Sequence, residues 1–203
     1  LSGTVVHSYN AERLLVQTVD HGVTTTYGYD SYGQRVAVTD TLGHVTTYGY
    51  DAVGRLITTT NPAGQVTVNT YDAGDRLIRA TQNYTTGGGQ NYRHTYNLVT
   101  AYGYDAVGQR ILVTDTLGYV TRHWYDAAGQ LISTTVNYSP TVGQNYANRW
   151  NLVTAYAYDA AGRQTHITDT LGYVTRQWHD ATGQLISTTV NYSPTVGHNY
   201  QNQ

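Results

Sequence analysis

The sequence predicts an all-β protein, an antiparallel meander of hairpins, and three observations carry that prediction. Residues that suit a pleated, half-wet surface dominate: 21 Tyr stand beside abundant Thr and Val, whereas Met and Lys are absent and Glu12 is the single Glu. Helix formers are therefore nearly missing. Turn punctuation recurs with a fixed rhythm, as in DTLGYVTRHWYDAAG (115–129), where Asp-x-x-Gly occurs twice, eleven residues apart. Finally, the chain repeats itself. Residues 97–150 and 151–203 align without a gap at a period of 54, about three-quarters identical.

The repeat organises the whole chain. A looser copy fills 43–96, and 1–42 reads as a partial, diverged one, so the expectation is a single array of about 54-residue units with no separate domain. Fixed-period self-similarity marks an array in which each unit covers its neighbour's open side. Turn signals begin at Asp30, Asp40, Asp51, Asn61 and Asp72, at Asp105, Asp115 and Asp126, and at Asp159, Asp169 and Asp180. Steps of ten and eleven, less four turn residues, leave strands of ordinary length. In each turn the first-position Asp or Asn accepts a backbone amide two residues on, and the fourth-position Gly takes the left-handed conformation that closes a bulged hairpin. Asp72-Ala73-Gly74-Asp75 has its Gly one place early, which predicts a different turn type there, and Asp20-His21-Gly22 is shorter still.

The third connection of each unit is longer. Residues 136–156 (VNYSPTVGQNYANRWNLVTAY) and 82–102 (QNYTTGGGQNYRHTYNLVTAY) read as extended hairpins. Their tips would lie at Ser139–Gly143 and Gly87–Gly89, with Tyr138, Tyr146 and Trp150 on the arms. Strand patterning is weak: in 119–125 neither Val120, Arg122, Trp124 nor Tyr119, Thr121, His123, Tyr125 makes a plainly buried face. That suits a thin sheet better than a sandwich with a dry core.

Composition narrows the function classes. A formal charge of −2 without Lys offers no general attraction to nucleic acid or anionic lipid. The absence of Cys excludes disulfides and thiol chemistry, without excluding secretion. No apolar run approaches the ~20 residues of a membrane helix, so this segment is not expected to insert into a membrane. The chain starts at Leu1 and reads as an internal fragment of a larger protein.

Chemistry-bearing residues are mostly absorbed by the turns. Of twelve Asp, nine open an Asp-x-x-Gly and two more lie in variant turns, leaving Asp75 and Glu12. Eight His are scattered without a His-x-x-x-His; His44 stands where other units have Tyr119 and Tyr173, and His179 where they have Tyr. No phosphate loop, nucleophile elbow or calcium loop is present. No catalytic residue, metal ligand or cofactor is expected. The Tyr pairs 27/29, 48/50, 102/104 and 156/158 each share a face and read as cross-strand packing. Tyr138, Tyr146, Trp150 and Tyr192, on the longer hairpins, are the candidate ligand-binding residues. Arg55, Arg110 and Arg163, close after a turn Gly, are expected in solvent or paired with Asp.

The units YDAVGRLITTTNPAGQVT (50–67), YDAVGQRILVTDTLGYVT (104–121) and YDAAGQLISTTV (125–136) resemble the tyrosine–aspartate (YD) repeats of the RHS family. The Tyr-Asp pair recurs at 29–30, 50–51, 71–72, 104–105, 125–126 and 158–159; it is replaced at His179-Asp180 and degenerate at Tyr9-Asn10. The resemblance implies hairpins laid side by side in a curved strip that spirals into a hollow β-shell, as in RHS polymorphic toxins, insecticidal toxin-complex cocoons and teneurins. It also implies a secreted or cell-surface protein whose partners are neighbouring repeats and, in the toxins, an enclosed C-terminal effector. The chain itself contains neither the RHS-core signature that leads to self-cleavage nor an effector sequence. Three functions follow: a structural wall segment; an aromatic glycan-binding or adhesion module using the long hairpins; and an enzyme such as a glycosidase, which would need a carboxylate pair free of the turns.

Overall fold

A computed structural model describes residues 4–86, 96–141 and 149–192, and among them all regular structure is β. The chain divides into two units, Leu1–Thr100 and Ala101–Gln203. Unit 1 carries β1 (Val5–Tyr9), β2 (Leu15–Asp20), β3 (Val23–Tyr29), β4 (Arg35–Thr39), β5 (Val45–Tyr50), β6 (Leu56–Thr60), β7 (Val66–Tyr71) and β8 (Leu77–Gln82). The division falls inside β9 (Leu98–Tyr104). Unit 2 continues with β10 (Arg110–Thr114), β11 (Val120–Tyr125), β12 (Leu131–Val136), β13 (Leu152–Tyr158), β14 (Gln164–Thr168), β15 (Val174–His179) and β16 (Leu185–Val190). Strand order is chain order in both units, so each is an antiparallel meander.

The turns work harder than the sequence suggests. At Asp30 the amide of Gly33 donates to the Asp30 carbonyl (3.1 Å), and the Asp30 amide donates to the carbonyl of Gln34 (3.0 Å). The Asp30 carboxylate then accepts two amides through one oxygen, from Tyr32 and from Gln34, each at 2.9 Å. The same double acceptance recurs at Asp40, Asp51, Asn61, Asp105, Asp115, Asp126, Asp159, Asp169 and Asp180. Each such side chain satisfies two donors that the reversing backbone would otherwise present only to water.

The expectation of a different turn at Asp72 is overturned. The amide of Asp75 donates to the Asp72 carbonyl, and Gly74 and Arg76 donate to the Asp72 carboxylate, as in every other unit. The left-handed position moves from Gly to Asp75, at φ 61°. Asp tolerates that region better than most residues because its short polar side chain bonds locally. Asn10 forms the same turn with Arg13 left-handed at φ 64° and its side chain bonded to the Leu14 amide. The geometry thus survives loss of both Asp and Gly. Asp20-His21-Gly22 is a two-residue reversal with both central residues at positive φ.

The meander has no dry core. Among the described residues Val99 is the single buried apolar side chain; the other buried side chains are Thr81, Asn97 and Thr135. Apolar residues at the third turn position stand in solvent, with Tyr32 88% and Leu42 and Val107 80% exposed. With so little apolar burial available, lateral bonds between hairpins must supply cohesion, and the signature Tyr does this. At the Tyr-Asp end, neighbouring hairpins are not joined by chain. There the last Tyr of an odd-numbered strand donates its hydroxyl to the carbonyl of the first residue of the preceding strand. Tyr29 reaches Leu15 (2.8 Å), Tyr50 reaches Arg35 (2.9 Å) and Tyr71 reaches Leu56 (2.9 Å) in unit 1. Tyr125 reaches Arg110 (3.2 Å) and Tyr158 reaches Leu131 (2.8 Å) in unit 2. That carbonyl lies beside the β-bulge following each Tyr-Asp turn, where the ladder loses register.

Two outcomes test this account. Tyr71→Phe, which removes one such bond, is expected to cost about 1 kcal/mol, a Tm loss of about 2–4 °C. Conversely, His179→Tyr restores the phenol opposite the Gln164 carbonyl and is expected to raise Tm by a similar margin; thermal melts of the three proteins side by side decide it.

Candidate functional site

Two clusters at the start of the long connections concentrate the aromatic and cationic side chains. β11 alternates, so Arg122 and Trp124 share one face. The chain leaves β12 at Asn137, which is left-handed at φ 52°, and the Tyr138 amide donates to the carbonyl of Val120 at 2.7 Å. That bond lays Tyr138 beside β11. Its ring meets Trp124 edge-on at 5.8 Å, and its hydroxyl accepts from Arg122 Nη1 at 2.8 Å. The Arg122 guanidinium carbon lies 4.8 Å from the Trp124 ring centroid and 5.0 Å from that of Tyr138. Attraction between the guanidinium and the ring quadrupoles holds the three side chains together. Arg122 Nε is buried without a hydrogen-bond partner, so stacking, rather than saturation of its donors, fixes this side chain.

The cluster recurs one period later. Arg176 lies 3.6 Å from the Trp178 ring and 4.7 Å from that of Tyr192, whose hydroxyl it also contacts through Nη1. His166 adds a tilted ring contact to Tyr192 at 5.9 Å. Desolvation, and then the Arg176 charge, hold the His166 imidazole below its ordinary pKa. Burial and the Arg110 charge do the same to His123, whose Nδ1 is 3.1 Å from Thr134 Oγ1 on the paired strand. In the repeat at 43–96 the positions of Arg122 and Trp124 hold Val68 and Thr70, and Tyr84 makes the corresponding backbone bond, to Val66 (2.8 Å).

An asparagine clasp closes the foot of the connection. The Asn151 amide donates to the Asn137 carbonyl (3.0 Å), and Asn151 accepts the Ser139 amide through Oδ1 (2.7 Å) while donating to the Ser139 carbonyl (3.1 Å). Asn97 treats Thr85 the same way and is 4% exposed. Asn83, Asn97, Asn137, Asn151 and Asn191 all have φ between 50° and 53°. Sequence reasoning passed over them, although Asn at identical repeat positions is a signal, since Asn is enriched in the left-handed region.

Of the four candidate ligand-binding residues, Tyr138 and Tyr192 anchor the two separate clusters. Trp150 is half-buried on the return arm beside Asn151, and Tyr146 lies outside the described residues. Arg122 and Arg176, with Trp124 and Trp178, were missed as partners of those tyrosines; their i, i+2 spacing on a strand was the available sign. Arg55 and Arg163 pair with Asp as expected, at 2.7 Å to Asp51 and Asp159. Arg55 also reaches Asp75 at 2.8 Å, joining successive turns. Arg110 instead lies 5.7 Å from the Tyr102 ring centroid. The Arg55 and Arg163 amides, and then their side chains, hold Asp51 and Asp159 below the usual carboxylate range. Among the described residues no three His, Asp or Glu side chains converge in a way that could hold a metal ion.

The sequence matches the model of the RHS Repeat family over residues 29–66, 50–90, 104–139 and 158–193. Those segments make up more than half of the chain, and the protein belongs to that family. The fold is similar to crystal structures of TcdB2-TccC3-TEV (TM-score 0.69, 19% identity, 97% of this chain and 10% of that one) and of TcdB2-TccC3 (TM-score 0.70, 19% identity, 95% and 11%). A third, of TcdB2-TccC3 without its hypervariable C-terminal region, aligns at TM-score 0.52 and 16% identity over 96% of this chain and 13% of that one. The protein thus spans about a tenth of the length of the first two of these chains. No curated protein matches it in sequence.

Two measurements probe the site. Tyr138→Phe is expected to cost about 1 kcal/mol through the lost Arg122 bond, and Tyr138→Ala a further ~1–2 kcal/mol from ring contacts; denaturant titration resolves both. Because the Asp40, Asp51, Asp72, Asp159 and Asp180 carboxylates titrate lower when folded than unfolded, their stabilisation is full above the unfolded pKa of about 3.9. It is lost as pH falls from there through the folded values. A pH series should show a decline below about pH 4 that Asp51→Asn and Asp159→Asn make shallower.

Proposed function

We propose that this chain is wall: a structural YD-repeat segment of a large secreted or cell-surface RHS protein, in which its 54-residue units extend a curved strip or shell. The observation that carries the reading is the commitment of the carboxylates. At successive turns one oxygen of each Asp is taken by two backbone amides, and at Asp51, Asp72 and Asp159 the other pairs with Arg. A carboxylate in that state is a poor general acid or nucleophile, which favours a structural role over a hydrolytic one. The named solved structures supply the fold analogy, and enclosure of a C-terminal toxin or effector is the further function that analogy offers.

The two Arg–Trp–Tyr clusters favour a second reading, an aromatic platform for surface glycans. Tyr138, Trp150 and Tyr192 would supply the stacking rings. Electron microscopy of the parent protein separates the two. The wall reading expects a hollow body whose outline collapses when repeats 97–203 are deleted, and a solid particle of unchanged outline would end it. A glycan array with Trp150→Ala as control tests the second reading, which expects saccharide binding that the variant loses.

A further inference from the structure

The fold does not require the Arg–Trp–Tyr clusters, because Val68 and Thr70 hold the same positions in the repeat at 43–96. What sets their arginines apart is the missing counter-charge. Arg55, Arg76 and Arg163 each meet an Asp carboxylate at 2.7 Å. Arg122 and Arg176 meet none among the described residues, and the side chain of each makes one hydrogen bond, to Tyr138 or Tyr192. Cation–π contact holds a guanidinium in place without neutralising it. Most of each planar fork, the buried Arg122 Nε included, is left without an acceptor.

The two clusters stand on one face of unit 2. Cross-strand partners share a face, and from Trp124 they run through Ser133 to Ala155. From Arg176 they run through His166 to Ala157, two residues from Ala155 on the same strand. Ser133, Ala155 and Ala157 thus form a floor of short side chains between the larger aromatic ones, and Ala157 is exposed. Trp178, at the far side, is 38% exposed. β11 and β15 are four strand steps apart, about 19 Å at the usual spacing. No strand from β11 to β16 carries Asp or Glu. A chain of net charge −2 so presents a strand surface charged by Arg122 and Arg176.

Deepening the glycan reading, on which this inference rests, we propose that this face binds a linear acidic polysaccharide. A uronate carboxylate sits at each arginine, and sugar rings pack on Trp124 and Trp178. A carboxylate matches the planar fork through two parallel hydrogen bonds, which a neutral hydroxyl does not. The site recurs one period on, which suits a ligand that is itself a repeat. One long chain engages both copies, and its second contact is intramolecular. Nucleic acid also joins anions to stacking surfaces, but two cations in a chain without Lys neutralise too few phosphates.

Calorimetric titration of the full 203-residue chain with mannuronate oligomers tests the site. Carboxyl-reduced oligomers of equal length are the neutral control; sulfated dextran and a single-stranded oligonucleotide present the other anions. Mannuronate oligomers are expected to bind at least about 10-fold tighter than their reduced forms, the worth of one charged contact. Arg122→Gln and Arg176→Gln should each weaken binding by about the same factor, and each should abolish the advantage of a long oligomer over a disaccharide. Equal binding of charged and reduced oligomers overturns the inference and leaves the glycan reading standing. Tighter binding of sulfated dextran or of the oligonucleotide overturns it too, as does wild-type affinity in either variant. Absence of all saccharide binding, here and on the glycan array, ends both readings. If circular dichroism shows that a Gln variant has lost its sheet, Arg122→Lys decides alone. It keeps the charge and loses the fork, and undiminished binding overturns the inference.

Discussion

Everything in this fold depends on a side-chain oxygen accepting two backbone amides at the point where the chain reverses. A meander with one buried apolar side chain among its described residues cannot rely on the hydrophobic term that stabilises most domains. Its reversals must be fixed locally. Asp or Asn at the first turn position achieves this within five residues, which frees the strand side chains from building a core. It also explains why Leu42, Val107 and Leu117 can stand in solvent at the turn tips: their amides, not their side chains, are what the turn uses.

The second half of the Tyr-Asp signature follows from the first. A turn held by its own carboxylate organises one hairpin and says nothing about the next. Neighbouring hairpins meet at the Tyr-Asp end without a covalent connection, beside a bulge where the ladder slips, and the phenol crosses to the carbonyl there. Asp closes the hairpin and Tyr ties it to the one before. Arg55, on Asp51 and Asp75 together, adds the same lateral link with charge, though exposed to solvent such a pair contributes little.

Most of this was legible because the determinants are local. Turn positions and strand lengths depend on residues within five of one another, and a sequence displays those directly. The difference at Asp72 has a physical cause: the turn requires not Gly itself but a residue that tolerates positive φ while the first-position side-chain oxygen holds the reversal. Asp75 and Arg13 meet it at some strain. What could not be read was anything depending on register. That Tyr29 reaches Leu15, or that Tyr138 lands on Arg122 and Trp124, requires knowing which residues face each other after a bulge. A one-residue slip would turn each of those side chains to the other face.

The Arg–Trp–Tyr clusters show how a repeat acquires individuality without altering its scaffold. Tyr84, Tyr138 and Tyr192 make the same backbone bond to the strand beneath them, so the exit of the long connection is common to three units. Only in the later two do Arg and Trp occupy the facing positions of β11 and β15. The exit geometry is therefore set by backbone and Asn, and the cluster is superimposed on it. Substitution at Arg122 or Trp124 can change what this surface offers while leaving the fold intact, because Val68 and Thr70 already occupy those sites in a unit that folds. A scaffold whose turns are self-sufficient can vary its faces freely.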